Sequence, residues 1–459
     1  MSTERNPHSP MVTDLTRNSR ETGVESAPDG GYGWVCVFCS FVVHFFALGI
    51  ESSWGVYQSY YFNSKVLGDI SNSDLAWVGS IQATGQPLVG FVAGLLAERI
   101  GYRITGFIGT VIMCLGLIAA SFSTHVWHLY LTQGIMFGFG SGFAFIPAVT
   151  LPSQWFTKRR GLATGISVSG YGIGGLVLSP VTQSLIDAVG FRWALRTTGL
   201  MTLVALGIAD YFMKSRPGIS MGTIQTKVNL KLMKERVFVF LCCIGLFSAF
   251  GFYVPLFYVP DYAQNALGRS AKDGATSAAL ISALSAVGRV LLGLFGDRFG
   301  HITTLILCQG FGGIAQMTVW PFIHNLPGLM GFSSFYGFFS GGFVSLYPVV
   351  AADIYGVEGL ASIAGAMFSS YIPGTLVGPP IAGAIIDRNT SPNGKINFLS
   401  TQLYGGSWLL GSCCMASLAM YFHRKQLKAV SHPTISGGAS ETEKKEQSVT
   451  VLQSVVQST

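Results

Sequence analysis

Charge is what this sequence has least of. Asp, Glu, Lys and Arg make up 11% of its 459 residues, against roughly 25% in soluble domains, while 49% are hydrophobic and the mean hydropathy is +0.48. That shortage excludes an ordinary soluble domain and indicates a chain that crosses a membrane many times. Cysteine is present only within apolar stretches: Cys36, Cys39, Cys114, Cys242, Cys243, Cys308, Cys413 and Cys414 all fall inside apolar runs. Cys36 and Cys39 are spaced C-x-x-C with no partner pair of His or Cys, which makes them packing residues rather than a metal or redox site. No phosphate-binding loop follows a strand, and no nucleophile–base pair stands out. Neither an enzyme nor a cofactor is expected. The first 28 residues contain no apolar core, so no cleavable signal peptide is expected. The net charge of +7 sits between apolar runs and reads as membrane topology, not as a nucleic-acid surface.

What the chain does have is apolar runs of spanning length. Six cover about residues 34–58, 77–96, 104–122, 127–149, 161–186 and 194–213. Six more cover about 237–258, 276–295, 302–321, 328–350, 360–386 and 403–422. The implied organisation is a disordered N-terminal tail (1–28), a first half (29–213), a basic linker (214–236), a second half (237–422) and a disordered C-terminal tail (423–459). Lys and Arg are unevenly divided among the connections. One side takes Arg99, Arg103, Lys158, Arg159, Arg160, six basic residues of the linker from Lys214 to Arg236, Arg298, Arg424, Lys425 and Lys428. The other side takes only Lys65, Arg192, Arg196, Arg269, Lys272, Arg388 and Lys395. Positive charge marks the cytoplasmic side, so both termini are expected there, in the plasma membrane. A weak glycosylation sequon, Asn389-Thr390-Ser391, falls on the outer side.

The two halves repeat each other at an offset of about 200 residues. Gly94-x-x-x-Glu98-Arg99-x-Gly101 matches Gly293-x-x-x-Asp297-Arg298-x-Gly300. Gly138-Phe139 and Ser141-Gly142 match Gly337-Phe338 and Ser340-Gly341, and Gly174, Leu176, Pro180 and Asp187 match Gly374, Leu376, Pro380 and Asp387. The fold class is therefore an all-α membrane protein of twelve transmembrane helices in two six-helix pseudo-repeats, the arrangement of major facilitator transporters.

One arginine stands against this background. Arg289 lies eight residues before Asp297, about 12 Å along a helix, near the bilayer midplane if Asp297 marks its border. A charge there costs roughly 2.5–3.5 kcal/mol even on the lenient insertion scale, so it needs a function. Ser282 and Ser285 share its helical stripe. In the first run, Glu51 shares a stripe with His44 and Gln58, beside Ser52 and Trp54, and is the natural partner for Arg289 across one central cavity. Trp54, Tyr57, Phe145, Tyr253, Phe257, Tyr258, Phe339 and Tyr347 are the aromatic candidates for its wall.

Three stretches carry a family resemblance. Gly94 to Arg103, GLLAERIGYR, resembles the G-x-x-x-D-R-x-G-x-R/K loop of the major facilitators, with Glu98 in place of Asp. Asp29-Gly30-Gly31-Tyr32-Gly33-Trp34 and the run from Trp155 through Lys158-Arg159-Arg160 to Gly165 resemble the two signatures of the monocarboxylate porter family, in its fungal-type branch. The resemblance implies that Glu98, Arg99, Arg103, Asp297 and Arg298 gate the cytoplasmic side. It also implies that Arg289 matches the anion-binding arginine of the animal lactate carriers. Their proton-coupling Asp and Lys positions fall on Ser285 and about Ser52. Tyr32 and Trp34 read as interfacial anchors. The expected function is alternating-access transport of a small organic anion across the lipid bilayer, with a coupling proton left open. The alternatives are efflux of a secondary metabolite, uniport of a vitamin-like molecule and, more distantly, nutrient sensing.

Overall fold

The structure, a computed structural model, describes residues 29–68, 72–217, 234–389 and 396–431. The expected N-terminal tail, Lys227 and Lys231 of the linker, Thr390, Ser391 and Lys395, and the chain beyond Ser431 lie outside the described residues.

The apolar runs form helices because lipid offers no partner for a backbone N–H or C=O, and a helix pairs them all internally. The first half contains α1 (Tyr32–Ser64, interrupted at Ser53), α2 (Asn72–Ile100), α3 (Tyr102–Ala120), α4 (Val126–Trp155) and α5 (Arg160–Phe212). The second contains α6 (Arg236–Asn265), α7 (Ala271–Phe299), α8 (His301–Phe322), α9 (Leu326–Tyr355), α10 (Leu360–Ile386) and α11 (Leu399–Ser431). Ten of them, all but α2, are long and apolar enough to cross a membrane. The runs expected at 161–186 and 194–213 share α5, whose helical geometry breaks at Gly190 (φ 77°, ψ 160°). One boundary needs correction. The C-terminal tail was expected to be disordered from His423, but α11 continues through it to Ser431.

The repeat visible in the sequence is also a repeat of backbone geometry. Gly101 and Gly300 end the two copies of the glycine-bounded motif with φ of 97° and 95°, a positive-φ conformation that costs only glycine nothing. Those turns reverse the chain between α2 and α3, and between α7 and α8. α4 and α9, which correspond, are the most enclosed helices, each 78% buried over its apolar window. Large apolar side chains such as Phe38, Phe122, Trp193, Phe257 and Phe322 point outward, as a lipid-facing surface requires. The start of α1, the end of α5 and the end of α11 lie at one end of the bundle, hereafter the linker end. There Tyr32 Oη donates to the Phe212 carbonyl (2.7 Å), and the Phe240 and Phe422 rings stack at 5.4 Å.

Candidate functional site

The halves meet along two equivalent seams, α7 against α5 and α2 against α10. Both close at the linker end, and both do so through the acid of the repeated motif. Asp297 accepts the Gly161 N–H (2.6 Å) and the Leu162 N–H (2.9 Å). Two hundred residues on, Ser362 donates its N–H to Glu98 (2.8 Å), with its hydroxyl bonded there as well. Each carboxylate thus satisfies orphan amides in the first turn of a helix from the opposite half, where the helix dipole also favours negative charge. The motif's first glycine makes the approach possible. A Cβ at Gly293 would collide with the Gly161 carbonyl, and one at Gly94 with the Ala361 carbonyl. On the α7–α5 seam His301 adds bonds to Asp297 (2.9 Å) and Asp353 (2.5 Å), and Arg160 bonds Asp353 (2.8 Å).

The stretches 29–34 and 155–165, far apart in sequence, touch at this same end. Asp29 Oδ1 accepts the Thr157 and Lys158 N–H groups (both 2.8 Å). Tyr32 packs on Trp155 (ring centroids 5.8 Å) and Trp34 on Phe156 (4.8 Å). Gly33 lies so close to Phe156 and Trp155 that a side chain there would meet them at 2.9 and 3.0 Å. The residues read as interfacial anchors thus pack onto the loop that leads into α5. Asp29→Ala, which strips two amides of a charged acceptor, should cost about 1–3 kcal/mol and lower the thermal midpoint by several degrees in detergent.

Toward the middle, the halves separate around a space of about 700 Å³, open solvent included. Its wall carries Phe145, Tyr171, Phe252, Tyr253, Phe343, Phe368 and Tyr371, with Glu51, Gln86 and Thr375 as polar groups. Its floor on the linker side is crossed by the Phe145–Phe368 edge contact (5.1 Å) and by Ser369 Oγ donating to the Pro87 carbonyl (2.9 Å), both between halves. One Glu51 carboxylate oxygen and the Tyr371 hydroxyl are buried without a hydrogen-bond partner. A buried polar atom left unpaired is costly unless a ligand or a proton completes it.

Arg289 lies next door. It lines a second, smaller space with Ser52, Ser282, Ser285 and Ser340, and the two spaces share Tyr171 and Phe252. The guanidinium is 1% exposed and reaches across the seam. Nη1 donates to the Val168 carbonyl (2.8 Å), Cζ lies 4.6 Å over the Tyr171 ring, and Nε has no partner. Glu51 and Arg289 therefore do not share one cavity and form no ion pair; the Tyr171 ring is common to both walls.

The remaining candidates are spread out. His44 is fully buried, bonded to the Ser40 carbonyl (2.6 Å) and Ser167 (3.3 Å) and set edge-on to Phe145 (5.3 Å), one layer behind the cavity. Trp54 packs against Tyr61 and Gly79, and neither it nor Gln58 lines either space. Of the eight aromatic candidates, Phe145 and Tyr253 reach the main cavity. Arg99, Lys158, Arg159 and Arg298 are exposed at the linker end, and Arg103 stacks over Tyr211 (5.0 Å). Exposed Asn389 donates to the Ile385 carbonyl (2.7 Å).

Several contributors were not singled out in the sequence: Tyr171, Tyr371, Phe343, Phe368, His301, Asp353 and Ser362. A signal existed for two of them, since Tyr171 and Tyr371 stand at the repeat offset and flank matched glycines. Asp210 was missed too. It is 1% exposed, accepts from Thr110 Oγ1 (2.7 Å) and leaves its other oxygen unpaired against α3.

Two seams, a closed end and a central cavity are the geometry of a carrier, and comparison with known proteins names the family. The Major Facilitator Superfamily model matches residues 33–322 and 241–424. The chain belongs to the major facilitator superfamily. Among curated relatives of this superfamily member is the agnestins efflux protein AgnL12 of Paecilomyces divaricatus, 33% identical over 81% of this chain and 84% of that one. Another is the transporter asaE of Aspergillus flavus, 31% identical over 88% and 90%. Solved structures of the fold include the E. coli fucose–proton symporter (TM-score 0.66, 13% identity, 84% of this chain and 98% of that one) and the proton–xylose symporter XylE (0.64, 16%, 86% and 95%). At such identities these two structures speak for the fold alone. As a major facilitator, the chain is a multi-pass membrane transporter.

Proposed function

We propose that this transporter exports a bulky aromatic metabolite bearing an acidic end. The observation that carries the reading is the pair of adjoining spaces. An aromatic chamber and a smaller space holding a buried arginine lie side by side, with Tyr171 and Phe252 in the walls of both. Ligand sites are commonly lined in this way, by apolar and aromatic side chains with a few polar groups fixing orientation. Rings stack against Phe145, Phe343 and Phe368. A carboxylate displaces the Val168 carbonyl from Arg289, exchanging a neutral acceptor for a charged, bidentate one. Glu51 accepts a ligand hydroxyl or a proton, and Tyr371 donates to a ligand oxygen. The resemblance of two stretches to monocarboxylate-porter signatures supports an acidic substrate, and the relative named an efflux protein supports the direction.

With basic connections inside, the linker end is cytoplasmic, and export from the cell assigns the carrier to the plasma membrane. The cavity is then shut off from the cytoplasm, the state from which exported cargo leaves. Inside-out vesicles offered a panel of aromatic carboxylic acids and their methyl esters test this. Acids should accumulate at least tenfold faster than their esters. Equal rates for acid and ester would remove the acidic end from the proposal, and movement of neither would remove the aromatic substrate. Glu51→Gln, which keeps the shape but cannot ionise, should abolish any stimulation by an imposed pH gradient while leaving downhill flux of the same acid within about threefold.

A further inference from the structure

The two seams use the same device to close, yet only one of them adds a histidine to the latching acid. On the α2–α10 seam, the positions that correspond at the repeat offset to His301, Asp353 and Arg160 are Tyr102, Gln154 and Leu360. Tyr102 is buried beside Gln154, and Glu98 caps Ser362 without help from a base. That seam closes by packing and amide capping alone. The α7–α5 seam carries a histidine between two carboxylates, with an arginine beyond the second.

We infer that His301 is the positioning residue that makes closure of the linker-end gate depend on a proton. Both ring nitrogens face acids: Nε2 to Asp297 Oδ1 at 2.9 Å and Nδ1 to Asp353 Oδ2 at 2.5 Å. An ionised carboxylate only accepts, so satisfying both contacts needs a donor on each nitrogen, and only the imidazolium has two. Neutral imidazole keeps one N–H and points a lone pair at the other acid. One of the two bonds then fails.

The consequence crosses the seam, because the acids His301 holds are themselves the latches. Asp297 bonds the Gly161 and Leu162 amides, and Asp353 bonds Arg160, all in the opposite half. The charged groups facing His301 are therefore Asp297 from α7, Asp353 from α9 and, through Asp353, Arg160 from α5. His423 of α11 and Glu235 lie beyond Asp353, and Arg298 points outward from the next position to Asp297. Protonation closes this seam; loss of the proton frees Asp297 or Asp353 to swing away and lets α5 part from α7. The other seam has no base at that place, so a rise in pH removes no proton donor from its latch.

Hydrogen–deuterium exchange of the full chain in nanodiscs, without substrate, reads the latch directly through the amides of the first turn of α5. Rates are corrected for the intrinsic pH dependence of exchange and compared at about pH 6 and about pH 8.5. Wild type should lose about tenfold of its protection there at the higher pH, as expected for one charge-assisted bond, while the first turn of α10, capped by Glu98, loses none. His301→Arg should stay protected at both pH values, because its charge does not titrate. His301→Gln should be equally exposed at both. A wild-type latch whose protection is independent of pH overturns the inference, as does a His301→Arg protein that keeps the wild-type slope. Wild type against the arginine variant decides the matter even if the glutamine variant fails to fold. Because no substrate is present, the result stands apart from the export reading.

Discussion

Gly293→Val should reduce transport by about ten- to a hundredfold while leaving the protein folded. At Gly293 the α7 backbone touches the Gly161 carbonyl of the other half, and a Cβ there would overlap it. The obstacle is backbone, which cannot rotate away as a flexible side chain would. Forcing extra carbon into such a contact costs about 1–3 kcal/mol. Here the cost falls only on the state with the linker end closed, because the seam is apart when that end is open. About 1.4 kcal/mol is tenfold in a population, so the closed state becomes a minor one and the cycle stalls there. Three measurements check this: flux in vesicles, the thermal midpoint, and exchange of the first turn of α5. A fall in flux with a preserved midpoint and an exposed α5 is the expected pattern. Gly331→Ala in α9, where no atom lies within 4 Å of the new Cβ, is the control and should transport normally. Gly94→Val should behave as Gly293→Val does, since its Cβ would meet the Ala361 carbonyl on the other seam.

Arg289→Ala should slow the flux of aromatic acids by about a hundredfold and that of their esters by less than about threefold. A buried guanidinium that binds a carboxylate contributes through a charged bond formed away from water, and truncating one partner of such a pair costs about 2–5 kcal/mol. Esters make no such bond, so the acid-to-ester ratio isolates binding from any loss of stability. Some loss is expected, because the truncation also removes the Val168 bond and the cover over Tyr171. Arg289→Lys should recover little of the acid flux. An ammonium keeps the charge but lacks the planar pair of donors that matches a carboxylate. Equal slowing of acid and ester would make Arg289 a strut between the halves rather than a ligand group.

The sequence was most informative where physics is local. Scarce charge and apolar runs decide that the chain lies in a bilayer, because hydrocarbon penalises each unpaired polar group wherever it falls. The glycine-bounded motifs at offset 200 were legible as a repeat, and their final glycines both turn the chain at positive φ. Arg289 could be singled out because its cost depends on depth, and depth follows from counting residues along a helix.

Other properties of the site depend on which helices become neighbours. Glu51 and Arg289 looked like partners on a shared midplane, but helical stripes set only a direction from each axis. The packing of α5 places Tyr171 in both walls and gives each charge its own chamber. His301 stood in plain view beside Asp297, yet nothing local says that Asp353, 52 positions later, meets its other nitrogen. Asp29 likewise finds its amides at Thr157 and Lys158 only once α1 lies along α5. The sequence by itself determined the medium, the repeat and the cost of each buried charge, since these follow from composition and spacing. Tertiary structure alone decided how those charges are answered, since a hydrogen bond has a reach of about 3 Å and that reach is set by packing between helices distant along the chain.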